Sequence, residues 1–531
     1  MIDGHKQPCD EGVMRAGAEA TPCAEAAKPW VLAATILGSS LAFIVGSVVN
    51  VALPAIQQDL GASAIEMQWV LNGYLLFLSA LILAGGSLGD HYGRRRVFVI
   101  GILIFTGASV WCGLAGSPAL LIVARGVQGI GGALLVPSSL AIISATFDED
   151  ERGKAIGTWS GFSALTTAFG PVLGGWLVDA VSWRWVFFVV VPPALVCVGI
   201  TLWRMPETRE TDPGALDGWG AALATLGLGA FVYGLIASSE AGWSAPPVLV
   251  ALAIGAVGLA GFLWREAAAR DPMMPLSLFR SRTFSGANLM TLLLYFALNG
   301  LLFFLPFNLI QVQGYSATAA GAAFLPFTLL MGALSRWAGG LVDQYGARTP
   351  LVAGPLVAAV GLALLALPGA DSSYWTGFFP GLLVLGFGMT VSVAPLTTAV
   401  MNAAGDEQAG VASGINNAAS RVAGLLAIAV LGVVMISVFS GTLEEQLAAV
   451  SAPPEAKQAV FEARADLAAT PVPESVQGPD RTALRAAIDA SFVRGFRWVA
   501  GISAVLALLS AGTAAWMIDP RRAEESSTEE S

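Results

Sequence analysis

Long apolar runs broken by short polar connections dominate the chain. Runs of roughly 20 residues suffice to cross about 30 Å of hydrocarbon. They recur fourteen times, at 30–53, 68–89, 97–115, 119–146, 155–178, 185–204, 217–238, 246–265, 284–308, 318–342, 350–368, 374–399, 409–438 and 495–518. In lipid only helices and closed barrels satisfy the backbone, and runs this continuous exclude the alternating strands of a barrel. The pattern therefore predicts an all-α membrane protein of fourteen transmembrane helices.

The connections differ in basic content. One alternate set holds Arg94, Arg95, Arg96, Arg152, Lys154, Arg204, Arg209, Arg265, Arg270, Arg280, Arg282 and Arg348, with Arg521 and Arg522 beyond the last helix. The short connections of the other set hold only Arg184. Basic loops face the cytoplasm, so both termini are expected there. Segment 440–494 then falls outside; it carries Lys457, Arg464, Arg481 and Arg485, but long loops follow the rule poorly. Residues 1–29 are charged and lack an apolar h-region, which reads as a cytoplasmic tail and not a cleaved signal peptide.

Composition sharpens the picture. The chain is 55% hydrophobic and 12% charged, against about 25% charged for a soluble domain. Nucleic-acid binding is not expected. The net charge of −10 owes much to the tail at 519–531 and to the segment after Ser440, and says nothing of a substrate. Cys9, Cys23, Cys112 and Cys197 form neither a disulfide framework nor a zinc spacing, so neither metal nor cofactor is expected.

The sequence also repeats itself. GSLGDHYGRRR at 86–96 follows the second run and GGLVDQYGAR at 339–348 the tenth, their aspartates 343 − 90 = 253 residues apart. The fourth and twelfth runs carry Pro137 and Pro395, and 395 − 137 = 258. The acidic pairs Asp150-Glu151 and Asp406-Glu407 give 406 − 150 = 256. Two related six-helix halves are expected, 30–204 and 284–518 (the latter including 440–494), joined by a linker at 205–283 that carries two further helices.

These motifs resemble the major facilitator superfamily. The loop at 86–96 matches its signature with His91 in place of the usual arginine; ARGVQGIGGA at 124–133 is similar to the fourth-helix signature and FGPVLGGW at 169–176 to the fifth-helix signature of antiporters. NVALP at 50–54, WRWVFF at 183–188 and ASGINNAASR at 412–421 are similar to the fourteen-helix drug:proton antiporter branch, of the bacterial multidrug-efflux type. The resemblance covers the chain apart from the tails and 440–494. It implies the major facilitator fold and placement in a bacterial inner membrane. The chain departs from the branch at Val45, where an acidic residue is common, and at Val190, where asparagine is frequent.

For Gly86, Asp90, Gly93 and Arg94, with Asp343 and Gly346 in the repeat, the resemblance implies a conformational latch. A basic loop obeying the orientation rule would explain the arginines but not the Gly-x-x-x-Asp-x-x-Gly spacing. Arg125 lies in apolar sequence, where a guanidinium costs on the order of 2.5–3.5 kcal/mol, and Gln128 three residues on shares its face. The pair serves either proton and substrate coupling or a structural clamp on backbone carbonyls. Gly170, Pro171, Gly174 and Gly175 combine a missing backbone donor with glycines that allow close helix contact, as a gate in helix 5 or as ordinary small-residue packing. Asn50, Asn72, Trp159, Asn288, Tyr295, Asn299 and Asn416 interrupt apolar runs and are expected to line a substrate pocket.

The leading expectation is a secondary transporter, functional as a monomer, that exports small amphipathic or hydrophobic compounds by proton antiport and alternating access. The scarcity of intramembrane carboxylates favours neutral or anionic substrates over cations. A facilitator or importer of the same fold stays open. A membrane-embedded enzyme finds no constellation, since His5 and His91 lie in a tail and a loop. A primary pump lacks its phosphate loop, Gly153-Lys154 being followed by Ala155.

Overall fold

The computed structural model describes residues 27–209, 217–269, 272–404 and 409–519, and every regular element among them is helical. The predicted tail at 519–531 and the pair Asp406-Glu407 lie outside them, Asp519 apart, as do all but Ala27, Lys28 and Pro29 of the predicted N-terminal tail. The helices are α1 (Lys28–Leu60), α2 (Ala64–Tyr92), α3 (Arg94–Leu114), α4 (Pro118–Thr146), α5 (Glu149–Ala180), α6 (Trp185–Phe188), α7 (Val191–Arg204), α8 (Gly218–Ala241) and α9 (Pro246–Ala268). They continue as α10 (Arg282–Phe307), α11 (Ala317–Ala322), α12 (Leu325–Gly339), α13 (Leu341–Tyr345), α14 (Arg348–Leu364), α15 (Phe379–Ala404), α16 (Ala409–Ala449), α17 (Pro454–Glu462) and α18 (Pro479–Met517). Among the described residues, thirteen helical stretches are long and apolar enough to cross a membrane, and the shorter α14 occupies the eleventh predicted run.

Prolines explain where single predicted spans divide. Pro192 and Pro193 cannot donate into the preceding turn, which separates α6 from α7; Pro326 does the same between α11 and α12. Pro306, inside α10, precedes a π-helical turn at Asn308–Val312.

Segment 440–494, expected as a loop, is largely helical. Helix α16 runs on to Ala449 and α18 starts at Pro479, well before 495. Charged residues lower the mean hydropathy there, but Leu484, Ala487, Ile488, Ser491, Phe492, Gly495 and Phe496 keep helical spacing and are all buried. Between them, α17 and a 3-10 stretch at Ala463–Ala469 lie against the bundle end: Gln57 donates to the Asp466 carbonyl at 3.1 Å, and Arg485 to the Ala468 carbonyl at 2.9 Å.

The packing repeats. In the first half α2 and α3 pack on α4, and α1 packs on α5; in the second, α12 and α14 pack on α15, and α10 on α16. Helices α8 and α9 pack on each other, and α8 touches α2 and α16. The halves meet through α5 against α11 and α12, α2 against α16, and α1 against α10.

Candidate functional site

At the Asp90 loop, Gly93 ends α2 with φ 102°, a conformation that favours glycine, and Gly346 ends α13 with φ 73° in the repeat. Asp90 pairs with Arg94 one turn on, Oδ1 to Nε 2.9 Å. The Arg94 amide donates to the Thr208 carbonyl at 2.8 Å, and the Arg95 amide to Glu207 Oε1 at 3.0 Å. The loop is thus tied to the chain beyond the sixth span. Gly86 faces Pro137 of α4. The Asp343 side chain lies outside the described residues.

Arg125, on α4, is fully buried. Its Nε donates to the Val70 carbonyl of α2 at 3.0 Å and its Nη1 to Gln128 Oε1; Gln128 Nε2 in turn donates to Ser109 Oγ at 2.6 Å. The guanidinium sits 4.3 Å from the Tyr74 ring centre. Burial of such a group in an apolar bundle is sustained only by contacts of this kind.

On α2 and α4 further hydrogen-bonding capacity is left over. Arg125 Nη2, both amide atoms of Gln68 and both of Asn72 are buried without a partner among the described residues. Gln68 and Asn72 stand four residues apart on α2 and share a face. Asn50 Oδ1 on α1 is in the same condition. From the other half comes Arg421 of α16, its buried Nε also unpartnered and its charge acting on both Tyr74 and Tyr295. Among the described residues the buried acidic ones, Asp217 and Glu266, belong to the ends of α8 and α9 and not to this group.

The remaining polar positions separate. Asn416 donates to Thr291 Oγ1 at 2.7 Å and to Asn288 Oδ1 at 3.2 Å, joining α16 to α10. Asn299 bonds the Tyr295 carbonyl at 2.8 Å and lies against Gly424. Trp159 is placed apart from the Arg125 group: its ring nitrogen bonds Ser39 at 3.0 Å and its ring packs edge-on to Phe43. Val45 is fully buried in the apolar core.

Helix α5 makes backbone-level contact with both halves. Gly170 and Gly174 lie against Ser47 and Val48 of α1. A Cβ built at Gly175 would lie 2.1 Å from the Ala317 carbonyl oxygen of α11, and one at Gly321 equally close to that of Pro171. Asp179 completes the contact, accepting from the amides of Ala317 at 3.1 Å and Thr318 at 2.7 Å. Nearer the other end of α5, Gly157 and Gly161 would meet nothing within 4 Å. The halves are therefore in close α5–α11 contact at the bundle end remote from the Asp90 loop.

Sequence reasoning passed over Gln68, Asp179 and Arg421. Arg421 carried a usable signal, a charge inside an apolar run; Asp179 lay too near a predicted end to stand out.

A bundle of apolar helices in two similarly packed sets, meeting around a buried polar centre, is the architecture of a multi-pass membrane transporter. Comparison with known proteins makes this specific. The Major Facilitator Superfamily pattern matches residues 35–428, and the chain belongs to that family. It is 37% identical to "Multidrug resistance protein Stp" of Mycobacterium tuberculosis (strain CDC 1551 / Oshkosh), over 78% of this chain and 77% of that one. It is 34% identical to "Tetracenomycin C resistance and export protein" of Streptomyces glaucescens, over 92% and 91%. Among solved structures, an inward-facing, occupied bacterial homologue of the human lysosomal transporter Spinster shares the fold, with TM-score 0.63, 19% identity and coverage of 92% and 97%. The protein is a membrane transporter and not an enzyme.

Proposed function

We propose that the protein exports small amphipathic or hydrophobic compounds from the cytoplasm of a bacterium, as a monomer in the inner membrane, by proton-coupled alternating access. The names of its relatives, which speak of multidrug resistance and of tetracenomycin C resistance and export, support the direction and the substrate type. With the Asp90 loop cytoplasmic, as its basic residues suggest, contact of α5 with α11 at the far end corresponds to an inward-facing state.

The observation that carries the reading is the set of buried, unpartnered polar atoms of Arg125 on α4 and of Gln68 and Asn72 on α2, with Gln68 lying against Gly432 of the other half. Leaving such atoms unsatisfied costs about 1–3 kcal/mol each, a cost that a bound substrate group would relieve. With Arg125 and Arg421 there and the buried carboxylates elsewhere, neutral and anionic compounds fit better than cations. Arginine does not release its proton at ordinary pH, so Arg125 is not itself the proton carrier.

A second reading, an uncoupled facilitator, draws on the fully buried Val45, which offers no proton at that position. Both are tested in liposomes with an imposed pH gradient, following a fluorescent lipophilic dye and internal pH in wild type and Arg125→Ala. Gradient-dependent dye movement lost in Arg125→Ala is the expected result. Dye movement independent of the gradient would replace proton antiport by the facilitator.

A further inference from the structure

Apart from the Arg125 group, the structure holds a cavity of about 370 Å³ in the half of the bundle nearer the Asp90 loop. Its walls come from α2, α8, α9, α10 and α16, and from the connection carrying Met273, Met274 and Phe279. It lies between the inserted helix pair and the seam where α2 of one half meets α16 of the other. Helix α9 is the outermost wall, with only 17% of its apolar stretch buried.

The cavity exists because small side chains face one another across it. Ala80, Ala224, Ala418 and Ala419 all line it, where larger apolar residues would close the gap. Its lining is almost wholly apolar, and its volume falls in the range of small-molecule sites, about 300–1,000 Å³. Met273 and Met274 supply an unbranched, adaptable wall suited to more than one ligand shape.

Three lining residues, Ser79, Ser285 and Asn288, are polar, and one of them separates a site for compounds from a niche for a lipid chain. The hydroxyls of Ser79 and Ser285 are spent on the backbone carbonyls of Leu75 and Phe279. Asn288 donates one N–H to the Phe284 carbonyl at 2.9 Å and accepts from Asn416, which also reaches Thr291, so one N–H and one oxygen lone pair of its amide are left over. An acyl chain has no use for an amide in its wall; an amphipathic compound with a hydrogen-bonding group does. Asn288, Thr291, Tyr295 and Asn299 follow one another along α10 at spacings of three and four residues, and so share one face. That polar stripe runs from the cavity towards the level of Tyr295, where the charge of Arg421 acts.

We propose that this cleft is a side entrance for membrane-dissolved substrates, in which α8 and α9 form a vestibule that admits an amphipathic compound from the bilayer and passes its polar group along α10. The inference rests on the export reading above. It gives the inserted pair a role of its own: α8 and α9 hold the cleft open against α2 and α16.

The test uses the full chain in proteoliposomes under a pH gradient, with an uncharged lipophilic dye of the Nile red type supplied through the bilayer. Ala224→Trp and Ala418→Trp fill the cavity from opposite walls, and each is expected to lower initial dye movement at least tenfold. A tryptophan can also disturb folding, so a second measurement uses Ala418→Cys in a background where Cys9, Cys23, Cys112 and Cys197 are replaced by alanine. A membrane-permeant maleimide is expected to label that thiol, and the dye to slow labelling at least fivefold. Undiminished dye movement in both tryptophan variants overturns the proposal, as does labelling that the dye leaves unchanged, which would assign the cleft to lipid chains. Failure of the export reading is distinct: wild-type liposomes would then move no dye, whereas protection of Ala418→Cys is a binding readout that needs no transport.

Discussion

Asp179, near the end of α5, accepts a hydrogen bond from the backbone amide of Thr318, the second residue of α11, at 2.7 Å across the boundary between the halves. It acts as a cap borrowed from the other half, bonding the Ala317 amide and the Thr318 hydroxyl as well. The contact exists only while this end of the bundle is closed, so Asp179→Ala should shift the protein towards the opposite state. Charge-assisted bonds contribute about 1.5–3 kcal/mol at best, less at an exposed carboxylate such as this. A several-fold drop is expected in maleimide labelling of Gly161→Cys, which lies in open space towards the other end of α5. Unchanged labelling would mean that the cap does not hold the closed state.

Gly321 makes a sharper prediction on the same contact. A Cβ there would lie 2.1 Å from the Pro171 carbonyl oxygen, and backbone on both sides leaves no flexible atom to yield. Gly321→Ala should therefore push α11 away from α5 and lower transport at least tenfold while the protein still inserts and purifies. Gly157→Ala is the contrast: its Cβ meets nothing within 4 Å, and alanine improves helix propensity by up to about 1 kcal/mol. Dye transport by Gly157→Ala should match wild type.

Arg125 serves two acceptors on different helices, the Val70 carbonyl and Gln128 Oε1, while its plane faces Tyr74. A lysine has no fork and no plane, so Arg125→Lys keeps the charge yet leaves one buried acceptor unpaired, at about 1–3 kcal/mol. Transport should fall at least tenfold in Arg125→Lys as in Arg125→Ala. Wild-type rates in Arg125→Lys would show that charge alone matters at this position. Arg421→Gln should separate substrates, lowering transport of an anionic dye several-fold more than that of a neutral one.

Much of this was legible in the sequence because bilayer physics is coarse. A helix that must bury every backbone group in lipid announces itself by length and hydropathy, and the fourteen predicted runs reappear as helices. The repeat was legible for a similar reason: Gly93 and Gly346 take positive φ at equivalent turns, which an L side chain rarely tolerates. Arg95 and Arg348, 348 − 95 = 253 residues apart, even donate to equivalent carbonyls, those of Leu202 and Ala515 near the end of the sixth helix of each half. Amphipathic extensions were hidden. In α18 the residues from Arg481 to Arg494 look like loop until the buried face of Leu484, Ile488 and Phe492 is seen. Asp179 and Gln68 were hidden too, because their meaning lies in a partner about 140 residues away for one and 364 (432 − 68) for the other, where Gln68 meets Gly432.

Asp466 gives a prediction in pH. Its carbonyl oxygen accepts from Gln57, and its own carboxyl is pushed above the ordinary carboxylate range, first by burial and then by the charge of Glu66. A carboxyl raised in the folded state holds its proton there at pH values where the unfolded chain has already lost it. Its contribution to stability is therefore most favourable below the ordinary value near 3.9 and declines as pH rises through the raised value. Asp466→Asn removes the charge and with it the penalty above that window, while the backbone bond to Gln57 is kept. The variant should melt at a higher temperature than wild type at pH 7 and at nearly the same temperature at pH 4, read by thermal unfolding of the purified protein. An equal difference at both values would mean that the substitution acts through packing of the Ala463–Ala469 stretch and not through the proton.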